Sequence, residues 1–150
     1  RIRDGAARLG LSNIRTELQD ASVCREEWKD SADVVLCDVP CSGLGIIRKK
    51  PEIRFKNPDE IQILPEIQAR ILANCAQYVK KGGTLVYSTC TILQRENEDV
   101  VRAFLTENPE FEAVSWTHPV CGERADGMVT LLPPVHNTDG FFIAKMHRKV

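Results

Sequence analysis

The chain has 150 residues, of which 43% are hydrophobic and 27% charged, a composition typical of one globular domain with a sizeable core. Its formal net charge of -1 gives no overall electrostatic case for nucleic-acid binding, so any such case depends on a local patch. No apolar run approaches the length of a membrane span. The chain does not begin with Met or with a signal peptide, so we expect a cytoplasmic piece of something longer.

Six cysteines occur at irregular spacings and without a CxxC pair, which argues against a structural zinc site. Cys37 and Cys75 lie inside apolar patterns, where a thiol usually acts as a small buried hydrophobe. Cys24 and Cys121 are interpreted in the same way. This usage fits a reducing cytoplasm, and we expect no metal site.

The first predicted elements are the end of a helix in residues 1–10 and a weak alternating strand over 11–18. Asp20 follows that strand, and an aspartate at the carboxyl end of a strand often reaches a ligand. A turn or helix-cap aspartate is an equal alternative. The near-continuous apolar run over 32–37 predicts a buried parallel strand.

A helix is predicted from Asn57, which precedes Pro58 in a typical helix start. Apolar residues recur at spacings of three and four as far as Tyr78. Pro65 interrupts this pattern and predicts a kink or two abutting helices. The paired glycines at 82–83 are expected to end the helix.

The remaining pattern predicts strands over 84–88, 111–116, 128–132 and 141–146, a helix over 97–107 and a loop over 117–127. The last two strands are separated by turn residues and are expected to pair antiparallel. Alternating helices and strands predict an α/β fold, with helices on both faces of a mixed sheet. No glycine-rich loop follows an early strand, so the chain carries no adenosine-binding loop of its own.

Two further cysteines each follow a predicted strand: Cys41 follows strand 32–37, and Cys90 follows strand 84–88. Because ligands bind outside the carboxyl ends of parallel strands, both thiols should face one crevice. A cysteine at such a place is a candidate nucleophile. A cysteine hydrolase would need an activating histidine, and none of the three lies in a pattern that suggests a base: His118, His136 and His147.

A basic segment follows Cys41, and its cations alternate with the apolar side chains of Ile53 and Phe55. A charge run is usually only a solvated face, but this one lies beside the proposed crevice, where phosphate contacts position a nucleic acid. The sequence therefore predicts RNA contacts by Arg48, Lys49, Lys50 and Arg54. A non-catalytic RNA-binding module that uses segment 48–56 is the alternative function.

Several motifs together resemble the RNA cytosine-C5 methyltransferases, and among them the bacterial 16S ribosomal RNA enzymes of the Sun/Fmu type. The motifs that carry the resemblance are D-V-P-C-S-G at 38–43, the basic run at 48–54, G-G-T-L-V-Y-S-T-C-T at 82–91, Glu96-Asn97, and T-D-G-F-F-I-A-K at 138–145. Their spacing is compatible from about Arg8 to Lys149. The resemblance implies the C-terminal half of a Rossmann-like class I methyltransferase sheet, with an antiparallel last strand.

The resemblance also implies roles for particular residues. Cys90 would be the nucleophile that adds to C6 of cytosine, so that C5 can attack the methyl group of S-adenosylmethionine. Cys41 would assist the later elimination and product release. Asp38 would hold the base edge near the methyl donor and stabilise developing charge. Asp38 and Pro40 would contact the cofactor, and Asp20 would lie near its adenine end.

The family pattern includes parts that residues 1–150 do not contain. The glycine-rich cofactor loop, the strand whose acidic residue holds the ribose and the N-terminal RNA-binding domain would all precede residue 1. We therefore expect a partial methyltransferase domain that binds the cofactor weakly and is inactive alone. Uncovered apolar surface is expected to drive self-association. The expected substrate is ribosomal RNA, with transfer RNA as the alternative.

Overall fold

A five-stranded mixed sheet organises the chain, and the computed structural model describes all of residues 1–150. The strands are β1 (Ala32–Asp38), β2 (Val79–Thr89), β3 (Phe111–Ala113), β4 (Trp116–His118), β5 (Gly122–Arg124), β6 (Met128–Leu131) and β7 (Phe141–Arg148). The helices are α1 (Ile2–Arg8), α2 (Pro58–Gln62), α3 (Leu64–Ala76), α4 (Glu98–Glu107) and α5 (Pro133–His136). None of these helices has the length and apolar character needed to cross a membrane.

Strand β2 lies between β1, with which it is parallel, and β7, with which it is antiparallel. Cys37 of β1 is opposite Tyr87, which in turn is opposite Ala144 of β7. The other edge of β7 pairs with β3 and β6, and Val129 of β6 is opposite Ile143. The predicted antiparallel pairing of the last two long strands is therefore confirmed.

The core lies between one face of the sheet and helices α3 and α4. Leu72 of α3 and Val101 of α4 are fully buried against Tyr87 and Phe142, whose rings meet edge to face at 6.1 Å. Because the apolar positions of α3 recur at helical spacing, they form the stripe that this face of the sheet covers. Truncating a core aromatic such as Phe142 to Ala would cost about 3–5 kcal/mol.

The opposite face of the sheet is largely open, so the expectation of helices on both faces is not met within this chain. Val34 and Leu36 of β1 are 64% and 65% exposed on this face. Trp116 of the separate β4–β5 hairpin borders a hollow beside Val86 and Ile143. The two helices that pack on the sheet, α3 and α4, both lie on the other side.

Two predictions, of a strand and of a loop, were wrong. Residues 11–18 form no strand, because a strand needs a neighbour to satisfy its backbone groups and none pairs with this segment. Residues 117–127, predicted as a loop, contain most of the β4–β5 hairpin. In that hairpin His118 Nδ1 accepts bonds from the backbone N–H groups of Val120 and Cys121, both at 3.2 Å.

The long helical segment after Asn57 is divided as Pro65 predicted. Helix α2 ends at Gln62, and Pro65 lies in the first turn of α3. The predicted helix end at 82–83 was wrong, because the helix stops at Ala76 and residues 79–89 form β2. Gly82 lies within that strand with φ +77°, a left-handed conformation that glycine adopts without strain.

Candidate active site

The structure brings Cys41 and Cys90 together at the carboxyl ends of the parallel strands β1 and β2. Their Sγ atoms lie 3.2 Å apart, within hydrogen-bonding distance for sulfur, and both side chains are partly buried. The backbone N–H of Val39 donates to the carbonyl of Ser88 at 3.2 Å and continues the β1–β2 pairing into the site. Two thiols that are distant in sequence therefore share one crevice.

A cavity of about 420 Å³ opens beside these thiols, within the usual size range of small-molecule sites. The strand end and its loop form one wall, and the segment 46–56 forms the other. The lining residues are Asp38, Val39, Pro40, Cys41, Gly43, Ile46, Lys50, Glu52, Ile53, Lys56 and Cys90. The cavity thus combines two thiols with one carboxylate at its strand end and, on the opposite wall, two lysines and the Glu52 carboxylate.

The position of the Cys41 thiol determines how tightly it holds its proton. Burial raises the pKa of the Cys41 thiol to about 12, and its hydrogen bond to Cys90 acts in the same direction. Cys41 therefore keeps its proton at neutral pH, and its S–H group can donate to Cys90 Sγ.

Asp38 and Pro40 lie at the rim of the cavity, on the side of the open sheet face. The Asp38 carboxylate accepts a hydrogen bond from Ser88 Oγ through Oδ1 at 3.0 Å, and its side chain is exposed. Its second oxygen has no protein partner among the hydrogen bonds of the site. A carboxylate in this position can accept a further donor from a bound molecule.

Glycines allow the loop after Cys41 to approach its neighbours closely. Gly43 has φ +77°, in the left-handed region. A Cβ atom on Gly45 would lie 2.1 Å from the carbonyl oxygen of Gly140 and 2.9 Å from that of Cys90. The Gly45 N–H donates to the Cys90 carbonyl at 3.0 Å, and the Gly140 N–H donates to Gly45 at 2.8 Å. Three loops therefore meet at Gly45.

The predicted RNA-contacting residues divide into two groups. Arg48 and Lys49 both pair with Asp139, which is only 5% exposed, with Arg48 at 3.4 Å. The hydrogen bond from Lys49 is the main cause that holds the pKa of Asp139 below its usual range. Lys50 lines the cavity without an acidic partner, and Arg54 donates only to the Pro51 carbonyl. Arg48 and Lys49 thus form ion pairs within the chain, whereas Lys50 and Arg54 do not.

Asp20 lies apart from the cavity and forms a turn. Its Oδ1 accepts bonds from the backbone N–H of Ser22 at 2.9 Å and from Ser22 Oγ at 2.7 Å. These bonds lower the pKa of the Asp20 carboxyl. Asp20 therefore forms a turn in this chain, and its contact with the cofactor stays a prediction. No group of three metal-ligating side chains occurs anywhere in the structure.

Three residues support the site in ways that the sequence did not predict. Lys56 Nζ donates to the carbonyl of Ser42 at 2.8 Å, and Gln68 and Glu96 are completely buried beneath the Cys41 loop. Gln68 lies midway between Leu64 and Leu72 on the apolar stripe of α3. A polar residue at that spacing is the signal that could have identified it.

The comparisons with known proteins decide the family. The sequence model of the 16S rRNA methyltransferase RsmB/F family matches residues 1–147. The chain belongs to this family. RsmB/F enzymes are RNA methyltransferases that use S-adenosylmethionine. The probable ribosomal RNA small subunit methyltransferase B of Bacillus subtilis is 44% identical over 155 residues, covering 99% of this chain and 35% of that protein.

Solved structures show that the RsmB/F chain has the Rossmann-like methyltransferase fold implied by its motifs. The crystal structure of PH0851 superposes with a TM-score of 0.91 at 35% identity, over 99% of this chain and 34% of that one. NSun6 from Pyrococcus horikoshii, solved with SFG, superposes with a TM-score of 0.78 at 24% identity, over 98% and 38% of the two chains. The chain spans about a third of the length of these relatives.

Proposed function

We propose that this chain is part of the catalytic domain of an S-adenosylmethionine-dependent enzyme that methylates C5 of a cytosine in 16S ribosomal RNA, in the cytoplasm. The observation that carries the proposal is the pair of thiols, Cys41 and Cys90, held 3.2 Å apart at one cavity. The Bacillus subtilis relative carries small-subunit ribosomal RNA in its name, which supports that substrate over transfer RNA.

The thiol pair suits cytosine because C5 is a poor nucleophile until C6 is attacked. In the proposed reaction the Cys90 thiolate forms a bond to C6, and the displaced electron pair makes C5 nucleophilic. S-adenosylmethionine supplies the methyl group that becomes bonded to C5. A water molecule in the cavity then takes the C5 proton, the electron pair of the C5–H bond forms the C5–C6 double bond, and the bond from Cys90 to C6 breaks to release the thiolate.

Cys41 and Asp38 assist this sequence from fixed positions. The Cys41 S–H group donates to Cys90 Sγ and stabilises the thiolate as it leaves C6. The Asp38 carboxylate, which has one oxygen free of protein partners, accepts a bond from the base edge and stabilises positive charge on the ring. We propose both roles on the geometry of the pair and on the family pattern.

Part of the cofactor site fits residues of this chain. The Asp38 carboxylate suits the cationic end of S-adenosylmethionine, and Pro40 beside it forms an apolar wall. Asp20 is proposed to reach the adenine end through Oδ2, since its turn uses only Oδ1, once the remaining part of the domain is present. The glycine-rich loop does not occur in residues 1–150, so we propose a partial domain with weak cofactor binding of its own.

RNA is proposed to approach over the segment 48–56. Lys50 and Arg54 are free to contact phosphates, and Lys50 lines the cavity itself. Arg48 and Lys49 remain 61% and 69% exposed although they pair with Asp139, so their outer surfaces can add to the same positive patch. The thiol pair beside this patch favours the enzyme over a non-catalytic RNA-binding module.

The test uses a longer protein that includes the glycine-rich cofactor loop proposed to precede residue 1. Transcripts of 16S ribosomal RNA and of transfer RNA are incubated with S-adenosylmethionine, and the product nucleoside is identified by mass spectrometry. The proposal expects 5-methylcytidine in the ribosomal transcript and none with Cys90→Ala. A methyl group on another atom, or full activity of Cys90→Ala, would contradict the chemistry. Modification of the transfer RNA alone would contradict the substrate.

A further inference from the structure

Beneath the two thiols lies a buried polar pair that the proposed reaction does not use directly. We propose that Glu96 and Gln68 are positioning residues that fix the Cys41 thiol against Cys90. The inference explains the 3.2 Å contact between the two Sγ atoms, which is a feature of the structure itself. It rests on the proposed function only for what that contact is used for.

Both peptide groups that flank Cys41 are held from below. Glu96 Oε2 accepts a hydrogen bond from the Ser42 N–H at 2.8 Å, and Gln68 Nε2 donates to the Pro40 carbonyl at 2.9 Å. The two side chains are joined to each other, because Gln68 Nε2 also donates to Glu96 Oε2 at 2.9 Å. Fixing the peptide planes on both sides of Cys41 restrains its φ and ψ, and therefore the direction of the Cα–Cβ bond that carries the thiol.

The loop that carries Cys90 is held by the residue next to Glu96. Asn97 Nδ2 donates to the Thr91 carbonyl at 3.1 Å, and Asn97 Oδ1 accepts from Thr89 Oγ1 at 2.6 Å. Ser42 and Thr91 then share a hydroxyl hydrogen bond at 2.7 Å across the two loops. One dipeptide, Glu96-Asn97, thus anchors both cysteine loops, and the separation of the thiols follows from its position.

Burying Glu96 and Gln68 costs folding free energy, so we infer that the two side chains serve to position the Cys41 loop rather than to stabilise the fold. Glu96 and Gln68 are 0% exposed, and Oε1 of each has no hydrogen-bond partner. Buried polar atoms without partners destabilise a fold, and an apolar pair of the same volume would pack here without that cost. What an apolar pair would not provide is the set of bonds to the peptides on both sides of Cys41.

The experiment measures how closely the two thiols are held in the 150-residue chain. In a glutathione buffer, one thiolate attacks oxidised glutathione and releases one reduced glutathione; the second thiolate then attacks the mixed disulfide and releases another. At equilibrium, the ratio of disulfide-linked to reduced chain gives the effective concentration of Cys90 at Cys41. The disulfide-linked form is quantified by mass spectrometry as the peptide that joins Cys41 to Cys90. Gln68→Met and Glu96→Met are each expected to lower it by about tenfold.

Two matched variants separate positioning from general stability. Glu96→Gln keeps a side-chain oxygen that can accept both N–H groups, so it is expected to restore the wild-type value. Asn74→Ala removes a buried amide that bonds Ala21 and Val23, away from the thiols, and is expected to leave the value unchanged. Circular dichroism establishes that each variant is folded.

The inference is overturned if the folded Met variants keep the wild-type effective concentration, if Asn74→Ala lowers it equally, or if Glu96→Gln fails to restore it. If Glu96→Met does not fold, Gln68→Met alone decides, because it leaves the carboxylate in place. The readout is thiol chemistry without RNA or cofactor. A negative result here therefore does not contradict the proposed methyl transfer. Absence of methyl transfer likewise does not contradict the positioning role of Glu96 and Gln68.

Discussion

The Sγ atom of Cys41 lies 3.2 Å from that of Cys90, although the two residues are 49 positions apart in the chain. Burial and the neighbouring sulfur raise the pKa of the Cys41 thiol to about 12. Cys41 therefore keeps its proton, as a hydrogen-bond donor, across the pH range in which RNA is stable. A hydrogen-bond donor beside a nucleophilic sulfur stabilises that sulfur most when the sulfur carries its full negative charge.

Replacing Cys41 with Ala should trap the reaction after methyl transfer. Without the S–H donor, the Cys90 thiolate is a poorer leaving group, so its bond to C6 breaks slowly. We expect a covalent complex between the longer protein and ordinary, unmodified RNA, visible as a shifted band of labelled RNA on a denaturing gel. Cys121→Ala removes a thiol outside the cavity and should produce no such band. Normal turnover by Cys41→Ala would remove this residue from the mechanism.

A methyl group on Gly45 should force the three loops of the site apart. Its Cβ would lie 2.1 Å from the Gly140 oxygen, a backbone atom that cannot rotate away. We expect Gly45→Ala to lower the free energy of unfolding by about 1–3 kcal/mol, measured by urea denaturation. Gly5→Ala is the control, because it lies in α1 with nothing within 4 Å and should raise stability by about 0.5–1 kcal/mol. Equal stability of Gly45→Ala and the wild type would contradict the close approach.

The ion pairs of Asp139 should make stability depend on pH in the acid range. Because its pKa in the folded chain is below the ordinary value of 3.8, Asp139 stabilises the fold above that value, and the effect is lost as pH falls through the lowered pKa. The melting temperature of Asp139→Asn should therefore be below wild type at neutral pH, with a gap that closes below about pH 4. Glu112→Gln, which removes an exposed carboxylate without an ion pair, should show no such pattern. A gap that widens in acid would contradict the assignment.

The open face of the sheet should make the isolated chain associate with itself. Val34 and Leu36 are exposed on an edge strand that pairs with only one neighbour, and such surfaces bind further protein. Sedimentation velocity should detect oligomers of the wild-type chain and a shift toward monomer in Leu36→Lys. Val120→Lys changes a residue of similar exposure in the β4–β5 hairpin and should have no effect. A monomeric wild-type chain at high concentration would contradict this expectation.

Local sequence signals predicted the parts of the fold that depend on near neighbours. The apolar run at 32–37 predicted β1, and the interruption at Pro65 predicted the division between α2 and α3. Residues 11–18 alternate like a strand, but alternation does not provide a pairing partner. The predicted helix end at 82–83 was wrong because glycine also occurs inside strands. Gly82 lies within β2 at a positive φ.

The site was predictable only as far as its motifs extend. Cys41 and Cys90 each follow a strand, so their shared crevice could be expected from the geometry of parallel sheets. The burial of Glu96 beneath them depends on its contact with Ser42, 54 positions away, which no local pattern encodes, whereas Gln68 could have been found from its place on the apolar stripe of α3. The pairing of Arg48 with Asp139, 91 positions away, was hidden for the same reason.

The central claim is that Cys90 forms a covalent bond to cytosine C6, and 5-fluorocytidine tests it most directly, because fluorine at C5 prevents the elimination that frees the thiol. RNA carrying this base is incubated with S-adenosylmethionine and the protein that includes the N-terminal part of its relatives. We expect an adduct that survives denaturation and maps by peptide mass to Cys90, and that is absent in Cys90→Ala. An adduct that persists in Cys90→Ala, or that maps to another residue, would contradict the claim.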